Sequence, residues 1–235
     1  MNPFIGEFIG TMLLIILGDG VVANVVLNKT KGNNAGLIVI TLGWAMAVFV
    51  GVFASTSLGG SGHLNPAVTI AMTLFNDFDQ ALLPTYIGAQ FGGAIAGAII
   101  VFLAYKPHFD ATDDKDAKLA VFCNAPAIRN ARYNMVTEIV GTFVLVLGAL
   151  TMSKPTDALG TLNALPVALL ILGIGLSLGG PTGYAINPAR DLGPRIAHFI
   201  LPIKNKRDSD WGYSWIPVVG PITGALIAAY IFTLL

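Results

Sequence analysis

The chain has 235 residues, of which 54% are hydrophobic and only 11% charged, and its formal net charge is zero. Soluble domains average about 25% charged residues, so this composition is typical of a membrane protein, and the charge balance gives no sign of a nucleic-acid partner. The single cysteine, Cys123, excludes an internal disulfide and a cysteine-based metal cluster. We therefore predict neither a metal site nor a cofactor.

Six apolar stretches are long enough to cross a bilayer core, which takes about 20 residues. The fourth of these stretches in chain order begins at Thr137. The others are predicted to span over 3–27, 35–57, 81–105, 162–178 and 214–235. A polar connection over 106–133 separates the first three spans from the last three.

Two short segments of the chain are nearly copies of each other. Each contains an Asn-Pro-Ala triplet, Asn65-Pro66-Ala67 in one and Asn187-Pro188-Ala189 in the other. Asn is a preferred N-cap, Pro suits the first helical position and Ala extends a helix, so both triplets predict helix starts. These helices end near Phe75 and Ile200, too soon to cross a membrane. Glycine-rich runs over 58–62 and 178–181 precede them, and we predict both runs to be irregular.

The order of elements indicates an inverted duplication. A Glu-x-x-Gly-Thr pattern opens a span at Glu7 and again at Glu138. Each half then reads span, span, half-helix, span, and three spans per half require the second copy to be inverted. Inverted repeats with discontinuous helices place the functional site near the bilayer midplane. We therefore expect one transmembrane channel domain, built from repeats over about 1–105 and 134–235.

Inversion brings the two half-helices together at their N-termini. Asn65 and Asn187 are then predicted to lie side by side, each capping its own helix and pointing its NH₂ group outward as a donor. Two positive helix ends and these donors repel protons and cations, while neutral hydroxylated molecules exchange hydrogen bonds and pass.

Both Asn-Pro-Ala boxes, the repeated Glu-x-x-Gly-Thr pattern and the Arg that follows the second box make the whole chain resemble the major intrinsic proteins, the aquaporins and glycerol facilitators. The resemblance implies an all-α membrane protein with six transmembrane helices and two re-entrant half-helices around a central pore. It also implies a homotetramer in the cell membrane with both termini in the cytoplasm. That orientation places most Lys and Arg residues outside, the reverse of the usual bias.

The resemblance favours the glycerol branch of the family. Asp191 follows Arg190, as in glycerol facilitators, and Gly175 stands where water-selective members carry a His. Trp44 and Tyr184 match the aromatic filter positions. The implied selectivity filter is thus Trp44, Gly175, Tyr184 and Arg190.

This filter suits a polyol chemically. The Arg190 guanidinium offers donors to neighbouring hydroxyl groups, Trp44 and Tyr184 form an apolar corner, and Gly175 leaves width. If the spacing of the loop before the first box is broken, Ile40 replaces Trp44 in this set.

Other polar residues are assigned supporting roles. We interpret Glu7 and Glu138 as buried carboxylates that accept N–H bonds from the loops before the triplets, with a proton relay as the alternative. His63 braces its loop or lines the pore, and Asp191 supports a loop near the mouth, whereas an Arg190–Asp191 ion pair is the alternative. Asp19 and Asn24 receive no assigned role, with a vestibule lining or a subunit contact as the alternatives, and Cys123 receives none.

We predict a passive channel for glycerol and other small neutral solutes, with water, that excludes ions and protons. Urea, dihydroxyacetone, hydrogen peroxide and protonated small acids are further candidate solutes. The alternatives are a water-selective aquaporin of the same fold and an ion-coupled secondary transporter that uses Glu7 and Glu138. No nucleophile–base or metal constellation suggests an enzyme.

Overall fold

The structure, a computed structural model, describes residues 2–152 and 159–235. Within these two ranges every regular element is a helix. In chain order the α-helices are α1 (Pro3–Val26), α2 (Leu37–Ser57), α3 (Pro66–Phe75), α4 (Leu83–Ala111), α5 (Lys115–Ala120), α6 (Ala131–Thr151), α7 (Leu165–Thr182), α8 (Pro188–Ile200) and α9 (Ile216–Phe232), and short 3-10 turns over Gln80–Leu82 and Gly160–Ala164 precede α4 and α7.

Six of these helices are apolar and close to membrane-spanning length. Helices α1, α2, α4, α6 and α7 are long and apolar enough to cross a bilayer, and α9 has 17 residues, at the lower end of the spanning range. Helices α3 and α8 are the predicted half-helices. The predicted all-α architecture with six spans and two half-helices is thereby confirmed.

The two half-helices begin where the capping signals predict. The side-chain oxygen of Asn65 accepts a hydrogen bond from the N–H of Ala67 at 3.0 Å. The oxygen of Asn187 accepts from Ala189 at 3.0 Å and from Arg190 at 3.2 Å. With 10 and 13 residues, α3 and α8 are too short to cross a hydrocarbon core of about 30 Å at about 1.5 Å per residue.

The packing of the helices follows the inverted repeat. Helix α1 packs against α2 and α4, and in the second half α6 packs against α7 and α9. Across the halves α2 lies on α7, while each half-helix contacts the last helix of the other half, α3 on α9 and α8 on α4. The two halves therefore interlock through their half-helices.

Glycines let the first and last helices of each half approach closely. A Cβ on Gly93 would lie 2.3 Å from the carbonyl oxygen of Phe8, and a Cβ on Gly224 would lie 2.2 Å from that of Ile139. Phe8 follows Glu7 as Ile139 follows Glu138, so the same contact occurs once in each repeat. Small residues at such contacts are the usual means of close helix packing in membranes.

The polar connection between the halves is shorter than predicted. Helix α4 runs past the predicted end at 105 to Ala111, and α6 begins at Ala131, so the connection covers 112–130 instead of 106–133. The added residues of α4 include the polar Lys106, His108 and Asp110, and Lys106 and Asp110 form an ion pair at 2.5 Å one turn apart. The helix therefore continues beyond the apolar span because its polar residues are compatible with both helix and water.

One predicted irregular run is helical. Helix α7 continues through Gly179, Gly180 and Pro181, and it ends only at Gly183, whose φ of 77° is left-handed. A left-handed glycine is a common helix terminator, whereas a single proline in the last turn removes one hydrogen bond without ending the helix. The irregular chain of the second half is therefore 183–187, and that of the first half is 58–65.

We expect Gly93→Ala to lower the free energy of unfolding by about 1–3 kcal/mol, because the added methyl group pushes α4 away from the backbone of α1. Thermal unfolding of the purified protein in detergent measures the change. The control is Gly88→Ala on the same helix, where an added Cβ meets nothing within 4 Å. Equal unfolding midpoints for the two variants would contradict the expectation.

Candidate functional site

The two Asn caps meet in the interior of the protein. The Nδ2 group of Asn65 donates to the carbonyl oxygen of Ile186 at 2.8 Å, and that of Asn187 donates to the carbonyl oxygen of Leu64 at 2.8 Å. Each cap thus binds the backbone of the opposite half. An amide NH₂ has two hydrogens, so each Asn retains one for a solute.

The residues just before the caps have strained backbone. Leu64 has a φ of 53° and Ile186 a φ of 44°, in the left-handed region that L-residues rarely adopt. Such conformations cost about 1–3 kcal/mol each and persist only where surrounding bonds hold them. Here they turn the two carbonyl oxygens toward the opposite Asn.

Two buried carboxylates hold these strained segments. Glu7 accepts hydrogen bonds from the N–H groups of His63 at 3.1 Å and Leu64 at 2.8 Å. Glu138 accepts from the N–H groups of Ala185 at 3.1 Å and Ile186 at 2.8 Å.

Side-chain donors complete both carboxylate sites. Ser55 and Gln90 donate to Glu7, and Thr182 donates to Glu138. These are the contacts predicted for buried carboxylates that accept N–H bonds from the loops before the triplets. All four carboxylate oxygens accept bonds from backbone or side-chain donors.

A cavity of about 280 Å³ runs past the paired caps. Its polar wall includes Asn65, Asn187 and Arg190. The remaining wall is mainly aliphatic, and includes Val48, Val52, Val68, Leu145, Val167 and Ile171. A solute in this cavity meets donors and acceptors on one side and hydrocarbon on the other.

Arg190 lies among three partners. Its guanidinium carbon lies 4.1 Å from the centre of the Trp44 ring, and its Nη1 donates to the carbonyl oxygen of Phe122 at 3.3 Å. The same Nη1 lies 3.7 Å from the carboxylate of Asp19. Trp44 lines the cavity, whereas the alternative Ile40 packs against the hydrophobic core.

Tyr184 lines the cavity, but Gly175 has a different position from the one expected. A Cβ on Gly175 would lie 2.4 Å from the side chain of Thr41 and 2.8 Å from the ring of Tyr184. The space beside Gly175 is thus filled by neighbouring side chains and is not open width in the pore. Gly175 bears on the cavity indirectly, because it allows the ring of Tyr184 to lie against α7.

His63 also lines the cavity and is braced at the same time. Its Nδ1 lies 3.2 Å from the hydroxyl oxygen of Thr69, and its ring packs against Phe78 and Tyr86. Both of the roles weighed for it from the sequence are compatible with this position. Among the described residues no group of His, Cys, Asp and Glu side chains has metal-binding geometry.

Comparison with known proteins identifies the family of this chain. The model of the family described as Major intrinsic protein matches residues 1–232. This chain belongs to the major intrinsic protein family. It is 56% identical over 232 residues to a probable glycerol uptake facilitator protein of Thermotoga maritima, covering 99% of this chain and 98% of that one. It is 54% identical to a glycerol uptake facilitator protein of Streptococcus pneumoniae, covering 100% and 99% of the two chains. The solved structure of the aquaglyceroporin from Plasmodium falciparum is similar with a TM-score of 0.86 and 32% identity, over 98% of this chain and 94% of that one.

In this major intrinsic protein Asp191 pairs with Arg195 and not with Arg190. The two side chains are fully buried, and the Arg195 Nε and Nη2 donate to the Asp191 carboxylate at 2.8 and 2.9 Å. Asp191 also accepts from the N–H of Asn124 at 2.7 Å, and Arg195 donates to the Asn124 carbonyl oxygen at 2.9 Å. This network holds the loop that contains Phe122, whose carbonyl oxygen binds Arg190.

The sequence pointed to Asp19 without indicating its role, and it did not single out Phe122 or Arg195. Arg195 lies one helical turn after Asp191, a spacing that predicts an i,i+4 pair, whereas Phe122 acts through a backbone oxygen and leaves no signal in the sequence.

Lys118 also holds the connection between the halves in place, because its ammonium group donates to the carbonyl oxygen of Lys204 at 2.7 Å. Burial lowers the pKa of Lys118.

The remaining unassigned residues have ordinary surroundings. The side-chain oxygen of Asn24 accepts from the N–H of Gly32 in the turn after α1. Cys123 is a buried free thiol in the connection between the halves.

We expect Glu138→Gln to lower the free energy of unfolding by about 2–3 kcal/mol, because a glutamine offers one acceptor oxygen and its NH₂ group then faces a backbone N–H. Thermal unfolding in detergent measures the loss. Asp113→Asn, a carboxylate-to-amide change at an exposed position, is the matched control. The interpretation of Glu138 fails if both variants unfold at the wild-type temperature.

Proposed function

We propose that this major intrinsic protein is a passive channel for glycerol and other small neutral solutes, with water, and that it excludes ions and protons. The observation that carries the proposal is the cavity in which Arg190, Tyr184 and Trp44 lie on the same path as the two Asn caps. The glycerol uptake facilitators among its relatives support the same solute class.

Arg190 and its neighbours form the proposed selectivity filter. The guanidinium has five N–H donors in a fixed plane, and the bond to Phe122 takes up only part of them, so others can bind adjacent hydroxyl groups. The rings of Trp44 and Tyr184 offer apolar surface to the carbon chain of a polyol. Gly175 supports this filter by allowing the position of Tyr184.

Asn65 and Asn187 form the proposed central site. Each presents one amide hydrogen to a passing hydroxyl group, and the two positive helix ends face the same point. A water molecule that accepts from both amides is oriented with its hydrogens away from the centre. Such orientation interrupts a proton-conducting chain of waters, and the helix ends raise the barrier for cations.

The two other functions considered are less well supported. A water-selective pore is less well supported because the two bacterial relatives are named for glycerol uptake. An ion-coupled transporter would need a titrating group on the solute path. Glu7 and Glu138 are the intramembrane candidates from the sequence, and their oxygens accept bonds from backbone and side-chain groups of the loops.

We further propose that the whole chain forms one channel domain that assembles as a homotetramer in the cell membrane with cytoplasmic termini. Urea, dihydroxyacetone, hydrogen peroxide and protonated small acids are additional candidate solutes, because each is small and forms hydrogen bonds.

Proteoliposomes that contain the wild-type protein should swell rapidly in an inward glycerol gradient, because the pathway needs no energy source. Light scattering in a stopped-flow instrument measures the rate, with empty liposomes as the control. Addition of a protonophore should leave the rate unchanged. Swelling no faster than that of empty liposomes would disprove the glycerol channel, and a rate that collapses with the proton gradient would favour the transporter.

We expect Gly175→Ala to reduce glycerol flux by roughly tenfold, or about 1.4 kcal/mol in the barrier, and water flux by a smaller factor. The added methyl group collides with the side chain of Thr41 at 2.4 Å and with the Tyr184 ring at 2.8 Å, and a shift of that ring toward the cavity affects the larger solute more. Gly173→Ala, on the same helix but with open space around the added Cβ, is the control. Equal losses for both solutes would contradict a role of Gly175 in the filter.

A further inference from the structure

Asp19 is an acidic residue within the spanning helix α1, and it has no role in the fold or in the proposed pathway described above. It belongs to α1 and its side chain is completely buried. Ionisable residues at such depth are expensive and usually mark a functional pair. Glu7, the other acid of α1, accepts bonds from the first glycine-rich loop, whereas Asp19 has no such structural partner among the described residues.

The partner of Asp19 is the filter guanidinium. Nη1 of Arg190 lies 3.7 Å from a carboxylate oxygen of Asp19, and neither carboxylate oxygen has a hydrogen-bond partner within residues 2–152 and 159–235. Asp19 is absent from the cavity wall, which Arg190 lines, so the carboxylate lies behind the guanidinium. A permeating solute therefore meets Arg190 directly and Asp19 only through its electric field.

Other contacts already orient Arg190. Its guanidinium stacks on Trp44 and donates to the carbonyl oxygen of Phe122. Helix α1 makes room for the Trp44 ring at Gly18, where a Cβ would lie 2.2 Å from that ring. Two adjacent residues of α1 thus contact the proposed filter. Gly18 leaves space for the Trp44 ring, and Asp19 lies beside the Arg190 guanidinium.

We propose that Asp19 is the counter-charge of Arg190 and a specificity-determining residue of the pore, which prevents the filter from admitting small anions. This inference rests on the proposed function. The guanidinium keeps its hydrogen-bond donors for hydroxyl groups, while the carboxylate behind it offsets part of its positive charge. A neutral polyol is recognised through these donors, whereas an anion gains less from a guanidinium whose charge is offset by Asp19.

Loss of the counter-charge should change the preference of the pore for ions. At an effective dielectric constant of about 20, a unit charge about 10 Å from a permeating ion changes its occupancy by roughly tenfold. Removal of Asp19 leaves Arg190 positive and adds to the positive potential of the two helix ends. Anions should then enter more readily, and cations should remain excluded.

The test uses nitrate as a small, permanently charged anion. Proteoliposomes loaded with potassium nitrate are diluted into sodium gluconate of equal osmolarity, and valinomycin is added. Net potassium efflux then requires nitrate to leave at the same rate, because charge must balance. A potassium electrode records this rate. We expect wild-type vesicles to release potassium at nearly the rate of empty ones, and Asp19→Asn vesicles to release it about tenfold faster than wild type.

Three further variants separate charge from packing. Asp19→Leu is a second neutral variant of similar size and should behave like Asp19→Asn, so the test does not depend on one variant folding. Asp19→Glu retains the charge and should keep nitrate flux low. Thr11→Val removes a different buried polar group from α1 and should leave nitrate flux at the wild-type value.

Glycerol swelling of the same vesicles shows that each preparation is folded and tests the proposed function separately. The assignment of Asp19 is overturned if both neutral variants keep the wild-type nitrate flux, which is the result expected for an uncharged carboxyl group. It is also overturned if Thr11→Val raises the flux equally. Absence of glycerol swelling in the wild type, with nitrate fluxes as expected, would instead reject glycerol as the solute and leave the pairing intact.

Discussion

The head-to-head meeting of two helix N-termini is the constraint on which the rest of the structure depends. Each terminus carries unsatisfied N–H groups and a partial positive charge, so two of them in a membrane interior repel each other. Asn65 and Asn187 satisfy N–H groups of their own helices and at the same time bind the opposite backbone. The same two side chains thus cap each terminus and join it to the other.

Buried carboxylates make this arrangement stable. Glu7 and Glu138 place negative charge close to the two positive helix ends, and each binds two N–H groups of the segment that leads into its half-helix. Charge-assisted hydrogen bonds of this kind are about twice as strong as neutral ones, which helps to hold left-handed backbone at Leu64 and Ile186. The two repeats use the same solution with almost the same distances.

Arg190, the central residue of the proposed filter, depends on a second network, which lies farther along α8. The buried pair of Asp191 and Arg195 binds both backbone groups of Asn124, and the neighbouring loop then presents the carbonyl oxygen of Phe122 to Arg190. A buried ion pair contributes little net stability unless further bonds satisfy it, and here backbone groups of the loop provide them. Its main effect is to fix the loop relative to Arg190.

The sequence by itself determined the features that depend on a few neighbouring residues. Apolar runs predicted the spans, Asn-Pro-Ala predicted both half-helix starts, and the repeated Glu-x-x-Gly-Thr pattern predicted the inverted repeat. Two predicted helix ends were wrong for local reasons. Lys106 was predicted to start a polar connection although α4 continues to Ala111, and the glycines at 179 and 180 were predicted to be irregular although they lie in the last turn of α7. Helix α4 continues until the extended backbone of Thr112 ends it, and α7 continues until the left-handed Gly183.

Only the tertiary structure decided the contacts between distant residues. Asn65 binds a carbonyl group 121 residues away, Gly175 makes room for Tyr184 instead of widening the pore, and Asp19 lies behind Arg190. Such pairs follow from how the two halves interlock, and helix periodicity or capping rules do not encode which side chains then meet. The repeated Asn-Pro-Ala triplets in the sequence therefore predicted a pore, whereas the packing of the two halves decided which charged groups and rings surround it.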